Sequence, residues 1–455
     1  MAQKIGIPKG TRDFLPQNVL KRNYIFNIIK SIFELNGFSP IETPSFELNK
    51  TLLGKYGEEG DRLIFRIMNS GEKVKKADTE ALQNNELGKF VSSLSEKSLR
   101  YDLTVPFARF VVQHQNDLPF PFKRYQIQPV WRADRPQHGR YQEFYQCDAD
   151  VIGSKSLWHE INLLQIIDKG LSKLNIPSFT IHLNNRKILS GIAEICDQQE
   201  NIIDITQALD KLDKIGEEGV VKEFEKRNIP TDAINLIKPL FQLSGSNEDK
   251  LSVLKSFLEK SKVGLKGIDE MEFIIQKIKL LGLNKAKLNI NVTLARGLNY
   301  YTGSIIEVTA DDIKMGSICG GGRYDDLTGL FGLKDMSGVG ISFGADRIYD
   351  ILETLDLFPK ELSKGVKVLF VNMGEKETEQ AMVLANQLKE NGISCEVYAD
   401  HVKLAKQMKY ANKLNVEFVA VMGDNELINK TVQLKNMTTG EQDEFSWNEL
   451  SNALK

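Results

Sequence analysis

The chain has 455 residues, 41% of them hydrophobic and 26% charged, with a net charge of −2. That length fits roughly two to four domains with real cores, and the near-neutral balance excludes a global basic field that would draw nucleic acid to the whole surface, leaving local basic faces for any such role. No apolar run approaches the roughly 18–20 residues that span a bilayer, and the opening MAQKIGIPKG lacks the apolar core of a signal peptide.

Residues 20–36, LKRNYIFNIIKSIFELN, set Leu20, Tyr24, Ile28, Ile29, Ile32 and Phe33 at helical spacing. Asn36-Gly37 supplies the stop. Pro40 and Pro44 then bias their predecessors toward extended backbone, so a long amphipathic helix feeds a proline-punctuated strand. Segments rich in β-formers follow at 124–131 (RYQIQPVW) and 143–152 (EFYQCDADVI). From about 170 to 286 charged amphipathic patterns such as LDKLDKIGEEGVVKEFEKRNI predict a helical insertion. Strand signals return at 287–308, and GVGISFGADRIYDILETL (338–355) reads as a glycine-rich strand followed by a helix. Beyond the linker FPKELSKG (358–365), KVLFVNM, ISCEVYAD, EFVAVMG and TVQLKN alternate with helical stretches near 375–390 and 402–414. That βαβ pattern predicts a small separate α/β domain.

Three clusters and one decapeptide carry chemistry. In FKRYQIQPVWRADRPQHGRYQEFYQCDADVIG (122–153) two strands flank a loop holding Arg132, Arg135 and Arg140. A solvated hairpin tip explains the latter two. Arg132 follows the apolar Val130-Trp131 and wants an anionic partner, for which its planar fork suits phosphate. In GVGISFGADRIY, Gly338, Gly340 and Gly344 allow close approach to something flat, or make a tight strand–helix joint. ICGGGRYDDL (318–327) places three glycines before Arg323 and Tyr324, a pattern expected where backbone approaches a ligand or another chain, although a simple turn also accounts for it. LARGLNYYTG (294–303) ends a short apolar run in Arg296 and the phenols Tyr300 and Tyr301, either stacked at a sheet edge or facing a substrate. The five histidines and four dispersed cysteines lack ligand spacing, so no protein-held transition metal is expected and the thiols are those of a reduced, cytoplasmic protein.

In this order the clusters resemble the motifs of class II aminoacyl-tRNA synthetases: the helix and strand reaching Pro44 resemble motif 1, the Arg132 strand motif 2, and the Arg347 helix motif 3. LARGLNYYTG and GGGRYDDL are similar to the two signature peptides of the histidyl-tRNA synthetase family, and PKGTRDFLP (8–16) to its usual opening. Family members usually carry Asp where this chain has Asn299.

The resemblance implies an α+β chain. An antiparallel-sheet catalytic domain would span 1–169 and 287–357, a helical insertion 170–286, and an α/β anticodon-binding domain 366–455. It implies ligation of L-histidine to the 3′ end of tRNA(His) through histidyl-adenylate, with ATP as substrate, Mg²⁺ on the triphosphate, and a homodimer formed near Pro44. Arg132 and Arg296 would flank the α-phosphate and Arg347 would clamp the γ-phosphate and adenine region. Asp102 and Thr104 in RYDLTVPFAR, with Gln146, would hold the α-ammonium. Asp150 would accept the imidazole N–H and Tyr301, beside Tyr300, would meet the other ring nitrogen. Arg135, Gln137 and Arg140 would meet the tRNA acceptor end and help read its extra 5′ guanosine. Lys403, Lys406, Lys409 and Lys413 share one helix face, as a solvated stripe or a phosphate track. Two other readings are a regulatory relative that binds histidine without catalysis, which would lack the tail and the arginines, and a class II synthetase for another amino acid such as threonine, which would carry a Cys/His zinc set.

Overall fold

The computed structural model describes residues 5–295, 300–363 and 365–454. Two units separate at Leu357/Phe358. The first is built on an eight-stranded sheet of β1 (Ser39–Pro40), β2 (Phe122–Trp131), β3 (Glu143–Ile152), β4 (Phe179–Asn185), β5 (Lys287–Ile290), β6 (Ser304–Ala310), β7 (Cys319–Tyr324) and β8 (Gly338–Gly344). Their spatial order is β1-β2-β3-β8-β7-β6-β4-β5. The inner pairings are antiparallel, and only the edges, β1 on β2 and β5 on β4, are parallel. β2 and β3 are consecutive and antiparallel, so a short connection suffices to join them; that connection is the loop carrying Arg132 to Arg140.

The long helix α1 (Pro16–Leu35) forms as its spacing predicts, with Pro16 at its first turn, where a missing N–H costs nothing. Its inward face is Ile25, Ile29, Ile32 and Phe33, while Leu20 is 40% exposed. The apolar stripe is thus turned relative to the one read from sequence. Phe33 stacks near Phe38, Tyr125 and Phe343, clamping the helix to three sheet strands or their edges. Helix α2 (Thr104–Gln113) carries the buried Val105, Phe107, Ala108 and Val111. Helix α3 (Trp158–Lys173) lies on the sheet, with Gly170 against the Phe343 ring.

The helical insertion is shorter than expected. Residues 179–185 fall inside its predicted bounds, yet they form β4, an interior strand of the large sheet hydrogen-bonded to β6 and β5. Phe179, Ile181 and Leu183 alternate inward, a period-two signal hidden between two amphipathic helices. The insertion proper is the helical run from Arg186–Ile195 to Lys262–Leu281.

The second unit is a five-stranded sheet. Cys395–Val397, Val368–Phe370 and Phe418–Val421 run parallel, and Thr431–Asn436 and Gln442–Ser446 extend it antiparallel. Four strands match the expected pattern and the fifth, polar QDEFS, does not stand out in sequence. Helices Glu375–Glu390 and Leu404–Leu414 cover it through Ala381, Leu384, Ala385, Leu388 and Ala411.

Candidate active site

Strand periodicity builds the floor of a cleft in the first unit. On β3, Cys147, Ala149 and Val151 point to the core, so Gln146, Asp148 and Asp150 share the opposite face. Register carries that face across the sheet. Gln146 lies beside Gly344, Asp148 beside Ser342 and through it in line with Gly320, and Asp150 beside Gly340 and through it in line with Gly322.

The glycines have two jobs. A Cβ at Gly338 would stand 2.3 Å from the Tyr324 ring, one at Gly340 1.9 Å from Asp150 Oδ1, and one at Gly322 2.9 Å from the Tyr301 ring. These three vacate space for the chain's own side chains. At Gly320 and Gly344 the nearest atoms are carbonyls at 3.6 Å, so the floor there is open.

A cavity of about 300 Å³ stands over this floor, lined by Asp102, Thr104, Arg132, Arg140, Gln146, Tyr300, Tyr301 and Arg347, among others. Arg132 leaves the end of β2 and donates from Nε to the Tyr101 carbonyl at 3.0 Å. Its guanidinium lies 4.3 Å from the centroid of the Tyr101 ring. Asp102, the next residue, accepts at Oδ1 from Tyr56 Oη at 2.8 Å and from the Val105 amide at 3.1 Å, and at Oδ2 from Tyr300 Oη at 3.3 Å. Burial pushes its carboxyl pKa up, against the pull of these donors and of Arg132. Gln146 donates to Ser342 Oγ at 2.9 Å, and its buried Oε1 has no partner. Arg347 is pinned by the carbonyls of Gly139 at 2.8 Å and Ser317 at 2.5 Å. Its guanidinium thus joins the hairpin tip to the segment ahead of β7.

The loop after Arg132 is a tight hairpin. Gln137 and Arg140 exchange backbone hydrogen bonds of 3.1 and 2.9 Å, and Gly139 takes φ +71°, which a side chain would strain. Arg140 pairs with Asp134 at 2.7 Å at the cleft wall. Arg135 and Gln137 are exposed outside the cleft.

Asp150 departs from its expected place. Rather than meeting the imidazole directly, it is 2% exposed behind the lining. Arg124 pairs with it at 2.8 Å and Tyr324 Oη donates to it at 2.6 Å. Asp148 stands 3.7 Å from the same guanidinium, and burial together with the Asp150 charge pushes its carboxyl up to about 7. Two carboxylates thus share one buried cation.

Arg323 has a structural role. The glycine run ahead of it reaches the cleft through Gly320 and Gly321, whereas Arg323 itself lies 3% exposed, making two 2.6 Å contacts to Glu160 and others to Ser154, Ser156 and Ser337. It fastens α3 to β7. Arg296 and Asn299 lie outside the described residues. Just before them, Asn184 holds the carbonyls of Val292 and Leu294 at 3.0 and 2.8 Å.

Sequence reading passes over Phe144, Asp148 and Tyr56. The first two continue the period-two pattern around Gln146 and are legible there. Tyr56 reaches Asp102 from 46 residues away, and no local signal marks it. Among the described residues no cluster of His, Cys, Asp and Glu could hold a metal by itself. Carboxylates of Asp134 and Glu307 line the cleft and suit a Mg²⁺ held chiefly by phosphate oxygens.

Known proteins are similar to this chain in sequence and fold. A histidyl-tRNA synthetase family model covers residues 10–348 and an anticodon-binding-domain model covers 366–455. A histidine–tRNA ligase of Christiangramia forsetii is 59% identical over 456 residues, spanning 100% of both chains, and one of Phocaeicola vulgatus is 55% identical over 455 residues, also 100% of both. A crystal structure of histidyl-tRNA synthetase from Nostoc superposes with a TM-score of 0.81 at 30% identity, over 99% of each chain. With the family model covering most of its length and relatives this similar along all of it, the chain belongs to the histidyl-tRNA synthetase family.

Proposed function

We propose that this cleft is where the chain activates L-histidine with ATP before attaching it to tRNA(His). The observation that carries the reading is the junction at Tyr101-Asp102: one guanidinium rests on the Tyr101 carbonyl while the next residue presents a buried carboxylate. A phosphate-binding cation and an ammonium-binding anion are thereby held a fixed step apart. That is what joining an amino acid carboxylate to an α-phosphate needs.

The histidine carboxylate attacks the α-phosphorus, a P–O bond forms, and the bond to the departing diphosphate breaks. Charge grows on the α-phosphate oxygens, where Arg132, already oriented, is worth most. Arg296 is assigned the opposite side of that phosphate. Arg347 clamps the nucleotide's distal phosphate and adenine region, over the open floor at Gly344. Asp102, Thr104 and Gln146 take the α-ammonium. Tyr301 meets the imidazole, with Tyr300 packed edge-on to it at 5.0 Å. Asp150 acts from behind the lining, its charge shared with Arg124, rather than as a direct acceptor. Glu307 and Asp134, whose carboxylates line the cleft, would help hold a Mg²⁺ bound with the triphosphate, which would supply neutralisation of the phosphate charge.

In the second step a hydroxyl of the tRNA's terminal adenosine forms an ester with the histidyl carbonyl, the acyl–phosphate bond breaks, and AMP leaves. Arg135 and Gln137, exposed beside the cleft mouth, and Arg140 are assigned to the acceptor end. In the second unit Lys403, Lys406, Lys409 and Lys413 are all exposed on the helix Leu404–Leu414 and its first turn, and are assigned to anticodon-stem phosphates. Dimerisation through the segment around Pro44 and a cytoplasmic location complete the reading; no described helix is long and apolar enough to cross a membrane.

The test is Arg132→Ala in histidine-dependent exchange of diphosphate into ATP. Loss of roughly 10²-fold or more in rate with an unchanged melting temperature is expected. Retained exchange would remove Arg132 from the chemistry.

A further inference from the structure

The amino-group site holds a residue that no motif identifies. We propose that Tyr56 is a positioning residue for the substrate's α-ammonium, aiming the Asp102 carboxylate and keeping it charged; this rests on the assignment of Asp102 to the ammonium.

Tyr56 is 4% exposed and does not line the cleft. Its ring packs on Tyr101 at 4.7 Å between centroids, and Tyr101 in turn carries the Arg132 guanidinium. Its hydroxyl donates to Asp102 Oδ1 at 2.8 Å. The stretch that follows also touches motif 2, since the Ala133 amide donates to the Leu63 carbonyl at 2.8 Å. One short segment therefore braces both halves of the site.

An ionised carboxylate has about four acceptor positions. Tyr56 and the Val105 amide occupy Oδ1, and Tyr300 reaches Oδ2 at 3.3 Å. One position is left over, and Asp102 lines the cleft, where an ammonium N–H would arrive. Asp102 needs the help, because its surroundings oppose its charge. Burial opposes it most, and Asp148 and Asp150 on β3 add like charge. Favouring ionisation are Tyr56 from the segment before α2, the Val105 amide from α2 itself, Tyr300 ahead of β6 and Arg132 from β2. Tyr56 is the largest of these favourable influences and comes from a side chain that does not line the cleft.

Tyr56→Phe removes the hydroxyl and keeps the ring. Diphosphate exchange on the full chain should show a KM for histidine raised roughly 10- to 100-fold, the range for one hydrogen bond to a charged group, with the KM for ATP within about twofold of wild type. The acid limb of kcat/KM for histidine should move to higher pH, because Asp102 loses a donor that favours its charged form. Inhibition by histidinol, which keeps the amine, should weaken in parallel, while inhibition by imidazole-propionate, which lacks it, should not change. Equal kinetics in the two proteins, or equal losses for both inhibitors and for ATP, would overturn the proposal while leaving the Arg132 chemistry standing. A wild-type chain that fails to exchange diphosphate with histidine at all would overturn the functional reading, and this inference with it.

Discussion

Gly340→Ala tests whether the glycine-rich strand exists to make room for Asp150. A methyl at that position would lie 1.9 Å from Asp150 Oδ1 and 2.4 Å from its Cγ, where ordinary contact begins near 3.4 Å. The carboxylate must therefore retreat by about 1.5 Å, further than hydrogen bonds tolerate. It would forfeit the 2.6 Å bond from Tyr324 and the 2.8 Å pairing with Arg124, all three groups being buried. Overpacking costs about 1–3 kcal/mol and a lost hydrogen bond to a charged group about 1.5–3 kcal/mol, so a total near 3–5 kcal/mol is expected. For a unit of this size that is a fall of roughly 4–7 °C in melting temperature. Gly344→Ala is the control: its nearest neighbour is a carbonyl at 3.6 Å and its site borders the cleft, so it should melt like wild type yet weaken ATP binding. Calorimetry and nucleotide titration on the two variants separate the roles. A Gly340→Ala protein melting within about 1 °C of wild type would refute the reasoning.

Asp148→Asn should change the pH dependence of stability. Burial holds the native carboxyl near 7, against about 3.9 when unfolded, so the native state binds the extra proton. The stability this proton confers is complete below about pH 4 and is lost as pH rises through 7. The asparagine variant should therefore gain on wild type steadily between about pH 4 and 7 and level off above that, and a constant difference in melting temperature would contradict the assignment. Glu160→Gln leaves Arg323 buried without its counter-charge and should cost about 3–5 kcal/mol in denaturant unfolding; an unchanged midpoint would mean Asp325, 3.9 Å away, suffices. Arg135→Ala should leave diphosphate exchange intact while weakening tRNA charging and lowering the salt slope of tRNA binding by about 1. Equal slopes would free Arg135 of a phosphate contact.

Local patterns in the chain carried much of this arrangement. EFYQCDADVI declares a strand with a polar face, and the structure puts Gln146 of that face in the cleft wall. Arg132 stands out because it follows Val130-Trp131 at the sheet rather than the polar tip. Asp102, Thr104, Tyr300, Tyr301 and Arg347, assigned through the family resemblance, also line the cleft.

What failed depended on partners distant in sequence. FTIHLNN reads as a strand only once β6 and β5 are known to flank it. The three glycines before Arg323 speak of close backbone approach and leave its side chain unassigned; Glu160, 163 residues away, claims it. Asp150 looks like a ligand-binding acid until Arg124 and Tyr324 are seen to share it. Charge and glycine mark a site in sequence, whereas which groups already satisfy one another is decided by the fold.

The central claim is that one cleft selects histidine and joins it to ATP. Diphosphate exchange measured with each of the twenty amino acids in turn tests it most directly. Exchange stimulated by histidine alone, and lost in Arg132→Ala, is the predicted result; stimulation by any other amino acid to a similar rate, or by none, would contradict it.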